Sequence, residues 1–145
     1  MRMLAIDHGT KNTGLALSDD AGQMAFPLET VASKNAIERI VEIIQEKRIT
    51  HVLVGLPVNM DGSLGKRAKE AHEFGKKLER TTGIIPEYIE ETLTSFDAEH
   101  EMKEHKVKRK KRKALVDQLA AQRMLQEFLD NKNRAARLDT PPRHD

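Results

Sequence analysis

Apolar and polar positions alternate in short runs at the start of the chain. Met3–Ile6 is apolar and closes on Asp7. A stretch with Gly9, Asn12, Thr13 and Gly14 follows, and Leu15-Ala16-Leu17 forms a second apolar run before Ser18-Asp19-Asp20. Two short apolar runs separated by Gly, Asn and Thr predict a β-hairpin. Met24–Val31 is a third apolar segment, and Pro27 within it predicts a strand near a sheet edge, where a missing N–H is tolerated. The period then lengthens. Ile37, Ile40, Val41 and Ile44 have helical spacing, which predicts a helix from about Asn35 to Lys47 with Ser33 as its cap. His51–Pro57 reads as a buried strand, followed by a loop over Pro57–Ser63. A helix is expected from Leu64 to Thr81, stopped by Gly83, then a strand at Glu87–Ile89 and a helix over Thr92–Lys103. A basic loop leads to a last helix, Ala114–Leu129. From Asp130 the chain is polar and carries Pro141-Pro142, the composition of a flexible tail over residues 131–145.

This order, three strands and then alternating helix and strand, predicts an α/β fold: a mixed five-stranded sheet with helices on its faces. In such sheets, sites lie beyond the carboxyl ends of strands. Asp7, the Gly55–Gly62 loop and Glu91 all follow strand ends. Asp7 can be a turn residue bonded to its own backbone. Alternatively it faces a ligand, with Gly9 letting the backbone bend around it. On the last helix, advancing about 100° per residue puts Ala114, Ala121, Met124, Leu125, Phe128 and Leu129 on one face. Asp117 falls in angle between Met124 and Phe128. An ionised carboxylate there needs a partner or an ion. One answer is a salt bridge in the helix's first turn. The other is convergence of Asp7, Glu91 and Asp117 on Mg²⁺ or Mn²⁺, which take oxygen ligands. Two such ions can stabilise the attacking and leaving oxygens of phosphodiester hydrolysis.

Composition narrows this picture. The chain has 145 residues, enough for one domain with a real core, here expected over residues 1–130. Aromatics are 3% and Trp is absent, so that core must be aliphatic. Cysteine is absent, which removes disulfides and thiol nucleophiles. No apolar run is long enough to span a bilayer and no secretory signal is visible, so a cytoplasmic protein without membrane contact is expected. The net charge of +2 conceals an asymmetry. Lys106, Lys108, Arg109, Lys110, Lys111, Arg112 and Lys113 form a basic run without an acid, on a body whose remaining charges are net acidic. That predicts either a solvated loop or a contact for a phosphate backbone.

With these residues in hand, the chain resembles the YqgF/RuvX family over about residues 2–130. The matching pieces are Leu4-Ala5-Ile6-Asp7-His8-Gly9 with Gly14, Val54-Gly55-Leu56-Pro57 with Asn59-Met60-Asp61-Gly62, Glu91 with Leu93-Thr94-Ser95, and Val116-Asp117-Gln118-Leu119-Ala120-Ala121. The resemblance implies an RNase H-like fold and a metal-dependent endonuclease. Its members are described as Holliday junction resolvases and are assigned to maturation of the 5′ end of 16S ribosomal RNA. Carried over, Asp7, Glu91 and Asp117 would be catalytic metal ligands for Mg²⁺ or Mn²⁺, two ions in the presence of substrate. Water would be the nucleophile. The implied partners are structured RNA, branched DNA and the ribosome, for a monomer or homodimer. The pattern departs at Thr92, where many relatives have Arg, so any phosphate contact made there must come from elsewhere. Glu90 beside Glu91 leaves open which acid points inward, since neighbouring strand residues face opposite ways.

Other residues carry two readings. Asn59 and Asp61 form a turn or flank a bound strand, and Lys11 is a solvated turn lysine or reaches a phosphate. His8 is a turn residue or touches substrate. Tyr88 is the sole tyrosine, so the aromatic platform of single-strand binders is missing and recognition should rest on backbone and shape. Two other functional classes compete. The Asp7–Gly14 loop is also similar to the phosphate loop of actin and Hsp70 type ATPases, which close two such domains around ATP. A catalytically silent RNA-binding assembly factor would use the basic run and leave the acids structural.

Overall fold

The computed structural model describes residues 1–92 and 109–139. The expected helix over Thr92–Lys103, and Lys106 and Lys108, lie outside them, apart from Thr92 itself, which ends a strand.

Five strands form one sheet: β1 (Met3–His8), β2 (Asn12–Ser18), β3 (Ala25–Ala32), β4 (His51–Val58) and β5 (Glu87–Thr92). Their order is β3-β2-β1-β4-β5. β1–β2 and β2–β3 pair antiparallel, while β1–β4 and β4–β5 pair parallel. β3 is an edge, as Pro27 requires, and a register irregularity falls between Leu15 and Ala16 opposite it. Three helices complete the described fold: α1 (Ala36–Glu46), α2 (Lys66–Thr82) and α3 (Arg109–Asp139). Gly83 ends α2 in a left-handed conformation, φ 77°, and donates its N–H to the Glu79 carbonyl at 2.8 Å.

The two-residue period of a strand sorts side chains onto two cores. Leu4 and Ile6 of β1 join Leu15, Val52 and Val54 against Ile40 and Ile43 of α1 and Ala71, Phe74 and Leu78 of α2. Met3 and Ala5 face the other way, with Ala16 and Leu53, against Ala121, Met124, Leu125 and Leu129 of α3. Each fully buried Val, Leu, Ile, Phe or Met side chain contributes about 1.5–3 kcal/mol. The single-face reading of α3 is correct for its buried residues, but its flank has a second use. Gln118, Gln122 and Gln126, spaced by four, bond the outer edge of β3. Gln122 Nε2 donates to the Ala25 carbonyl at 3.0 Å, Gln126 Oε1 accepts from the Ala25 N–H at 2.9 Å, and Gln118 Nε2 donates to Thr30 Oγ1 at 3.2 Å. This helix covers a free sheet edge.

Three local expectations need correction. The basic run is not wholly a loop: Arg109–Lys113 is the start of α3, because Lys and Arg are good helix formers. Nor does the helix stop at Leu129. Ten more residues without Gly or Pro continue it to Asp139, and Asn133 Nδ2 ties it to the Gly22 carbonyl at 3.3 Å. Ser33 does not cap α1; it opens a short 3₁₀ turn, Ser33–Asn35. Its hydroxyl donates to the Gly9 carbonyl at 2.7 Å and so must accept from Thr13 Oγ1, at 2.9 Å. Its N–H donates to the Lys11 carbonyl at 2.8 Å. Ser33 therefore holds the β1–β2 turn. Ser33→Ala strands the hydroxyl of fully buried Thr13 and is expected to cost about 1–3 kcal/mol, read as a lower urea midpoint at unchanged slope.

Candidate active site

Strand parity brings the acids together. Met3 and Ala5 face α3, so Asp7, two residues on, faces it too. Ile89 packs against the same core, so Glu91 shares that side at the end of β5. Asp117 comes from α3 itself. Glu90 is exposed while Glu91 is half-buried, so Glu91 is the inward acid.

Gly14 sets the depth of the site. It is the register partner of Asp7 on β2. A Cβ placed on it would lie 2.1 Å from the Asp117 carbonyl oxygen and 2.9 Å from the Asp117 Cβ. The backbone of α3 thus rests on Gly14, which seats Asp117 beside Asp7. Gly55 performs the same service about two turns further along α3, where a Cβ would be 2.5 Å from Met124 Sδ.

Electrostatics mark the three acids as one group. Burial raises the Asp7 carboxyl above the ordinary range, against a lowering by Arg67. Burial, then Asp7 and Glu127, push Glu91 up to about 7, while Arg123 lowers it. Burial and then Asp7 push Asp117 up to about 6, opposed by Lys113 and Arg67. Asp7 is the common neighbour of the other two. Asp117 Oδ2 is buried and has no hydrogen-bond partner among the described residues. Among those residues no group of three His, Cys, Asp or Glu is drawn in tightly enough to ligate one ion.

A cleft of about 310 Å³ opens beside Asp117, between the β1–β2 turn at Gly9–Asn12 and the first turns of α2 and α3. Lys11, Arg67 and Lys113 line it. Two of these cations were expected from sequence; Arg67 was not. It stands on the polar face of α2, where an exposed arginine gives no periodic signal. Lys111 is exposed and Arg112 half-buried on the first turns of α3. Asn59 is in a turn: its N–H donates to the Ser63 carbonyl at 3.0 Å and its Nδ2 to Ser63 Oγ at 3.0 Å, while Asp61 accepts from Ser63. On the opposite side of β1, His8 stacks on Phe74, ring centroids 4.5 Å apart. Burial is the main cause of its lowered pKa, with Glu70 opposing.

A mixed sheet in the order β3-β2-β1-β4-β5, flanked by helices, is the RNase H-like fold. The fowlpox virus resolvase, solved with Holliday junction DNA, shares this fold with a TM-score of 0.50 and 13% identity, over 89% of this chain and 99% of that one. The chain belongs to the RuvX family, whose model, described as Holliday junction resolvase, matches residues 1–131. A relative from Lachnospira eligens is 39% identical over 92% of this chain and its own full length, and one from Natranaerobius thermophilus is 40% identical over 92% of this chain and 99% of its own. Both carry the name "putative pre-16S rRNA nuclease". No helix among the described residues is long and apolar enough to cross a membrane.

Proposed function

We propose that the chain is a divalent-metal-dependent endonuclease that hydrolyses phosphodiester bonds at the 5′ end of precursor 16S rRNA, in the cytoplasm and on ribosomal precursor particles. The observation that carries this reading is Asp7 flanked by Glu91 and Asp117, with a buried carboxylate oxygen left unpaired and a cationic cleft alongside. The full-length relatives and their printed name support the substrate.

The donor set fits Mg²⁺ or Mn²⁺: three carboxylates, in a chain without cysteine thiolates. Asp7, Glu91 and Asp117 would hold the metal. Bound there, the metal supplies charge neutralisation at the phosphate and an activated water. The chain's own residues do the rest. The acids must shed their protons to bind a cation, and a cation removes the repulsion that keeps them protonated. Met124, Leu125 and Ala121 hold α3 against the sheet, so Asp117 is placed by packing rather than by a loop. Lys11 and Lys113 face the cleft, where they hold the strand by its backbone.

A second reading is cleavage of four-way DNA, favoured by the description of the family model. The two share chemistry and differ in substrate and symmetry, since paired cuts call for a two-fold dimer. The test is a labelled precursor 16S 5′ segment beside a labelled four-way junction, each with Mg²⁺, Mn²⁺ or EDTA. Cutting of the RNA alone, abolished by EDTA, is expected. Cutting of the junction alone, by a dimer, transfers the assignment to DNA. Binding without cutting of either sinks the nuclease reading.

A further inference from the structure

Arg67 is the cation that Asp7 and Asp117 share. Its charge acts on Asp7, His8 and Asp117 together. Yet it forms no hydrogen bond or ion pair with any described residue and remains exposed at the second position of α2. An arginine this near to two carboxylates, Asp7 and Asp117, ordinarily closes a bidentate pair with one of them. Here it faces the cleft instead, in company with Lys11 and Lys113. Three cations therefore line that cleft, and it meets the acids at Asp117. Its volume of about 310 Å³ lies within the range of small-ligand clefts.

We infer that Arg67 is a substrate-binding residue that grips a backbone phosphate at the cleavage centre, with Lys11 and Lys113 closing the cleft around the same strand. The planar guanidinium matches two phosphate oxygens at once, which an ammonium cannot do. Asp117 forms one wall of the cleft, so a phosphate gripped there lies between the cation and the carboxylates. The group that positions the strand thus also neutralises its charge on the side away from the acids. The inference rests on the nuclease reading for its setting, but the contact itself is a binding property and can be measured without cleavage.

The experiment is binding of the precursor 16S 5′ segment in EDTA across a salt series, for wild type, Arg67→Ala, Arg67→Lys and Arg80→Ala. Arg80 lies near the far end of the same helix and is exposed, so its variant controls for lost charge. Arg67→Ala is expected to bind about tenfold more weakly. Its log K against log salt should flatten by about 0.7–0.9. Arg67→Lys should restore the slope but only part of the affinity, because the charge returns without the fork. Arg80→Ala should match wild type. Under cleavage conditions Arg67→Ala should raise KM. Equal affinity and slope for Arg67→Ala and Arg80→Ala overturn the inference, as does a wild type that does not bind the segment. Wild type that binds with the Arg67-dependent slope but never cuts leaves the contact standing and overturns the nuclease reading instead.

Discussion

Asp7→Asn should abolish cleavage and, in the absence of metal, make the protein more stable. The two effects have one cause. Burial is the larger cause of the raised Glu91 and Asp117, and Asp7 is the next, the charge they have in common. With a cation present its loss removes a ligand, and a fall in cleavage of about 10²–10³-fold or more is expected. Without a cation its loss removes repulsion. Glu91 rises from 4.5 to about 7 and Asp117 from 3.8 to about 6, so the folded chain binds more protons than the unfolded chain between these limits. Stability then falls as pH climbs through that window and is flat above it. Metal-free wild type should therefore be most stable on the acid side. Near pH 8 in EDTA, Asp7→Asn should exceed it by about 1–2 kcal/mol, a figure reduced for solvent screening of half-buried groups. Near pH 4 the advantage should vanish. Added Mg²⁺ should stabilise wild type and leave the variant unmoved. Urea melts at the two pH values, with and without Mg²⁺, read all of this. A variant less stable than wild type at both pH values would mean that Asp7 is a structural acid, as the assembly-factor reading requires. Mg²⁺ binding by the metal-free wild type should tighten as pH rises through about 6–7, as Glu91 and Asp117 ionise.

The carboxylates were legible because each breaks a local pattern. Asp117 interrupts an apolar helical face, and Asp7 and Glu91 stop apolar strands; periodicity alone exposes such residues. What brings them to one side is parity along β1 and β5, which sequence also carries. Arg67 could not be read this way. A basic residue on the polar face of a helix breaks nothing, and only the crossing of α2 over the carboxyl end of β1 puts it beside Asp7. Gln118, Gln122 and Gln126 were similarly mute: polar residues beside an apolar stripe read as solvent-facing until a sheet edge is known to lie there. Ser33 misled for another reason. A hydroxyl ahead of a helix has the chemistry of a cap, and the same chemistry serves a tertiary bond to Gly9 and Thr13. The start of α3 was misplaced because a run of like charge suggests a loop, whereas Lys and Arg propagate a helix well.

Gly14→Ala should cost more than any surface substitution and should take activity with it. The new methyl would sit 2.1 Å from the Asp117 oxygen and 2.3 Å from its carbonyl carbon. Both are backbone atoms of a helix locked by Met124, Leu125 and Leu129, so no rotamer change relieves the contact. Either α3 lifts from β2 or β2 leaves β1, and both loosen packed core. Overpacking typically costs about 1–3 kcal/mol. The upper end is expected here, or roughly 10 °C in Tm for a domain of this size. Lifting α3 carries Asp117 away from Asp7. A misplacement of about 1 Å at a reacting centre is worth on the order of 10²-fold in rate. Gly62→Ala is the contrast. Nothing lies within 4 Å of its Cβ position, and only its φ of 83° is unfavourable. It should cost about 1 kcal/mol and leave cleavage unchanged. A Gly14→Ala protein that melts and cuts like wild type would show that α3 is not seated on β2. The link from helix packing to carboxylate placement would then fail.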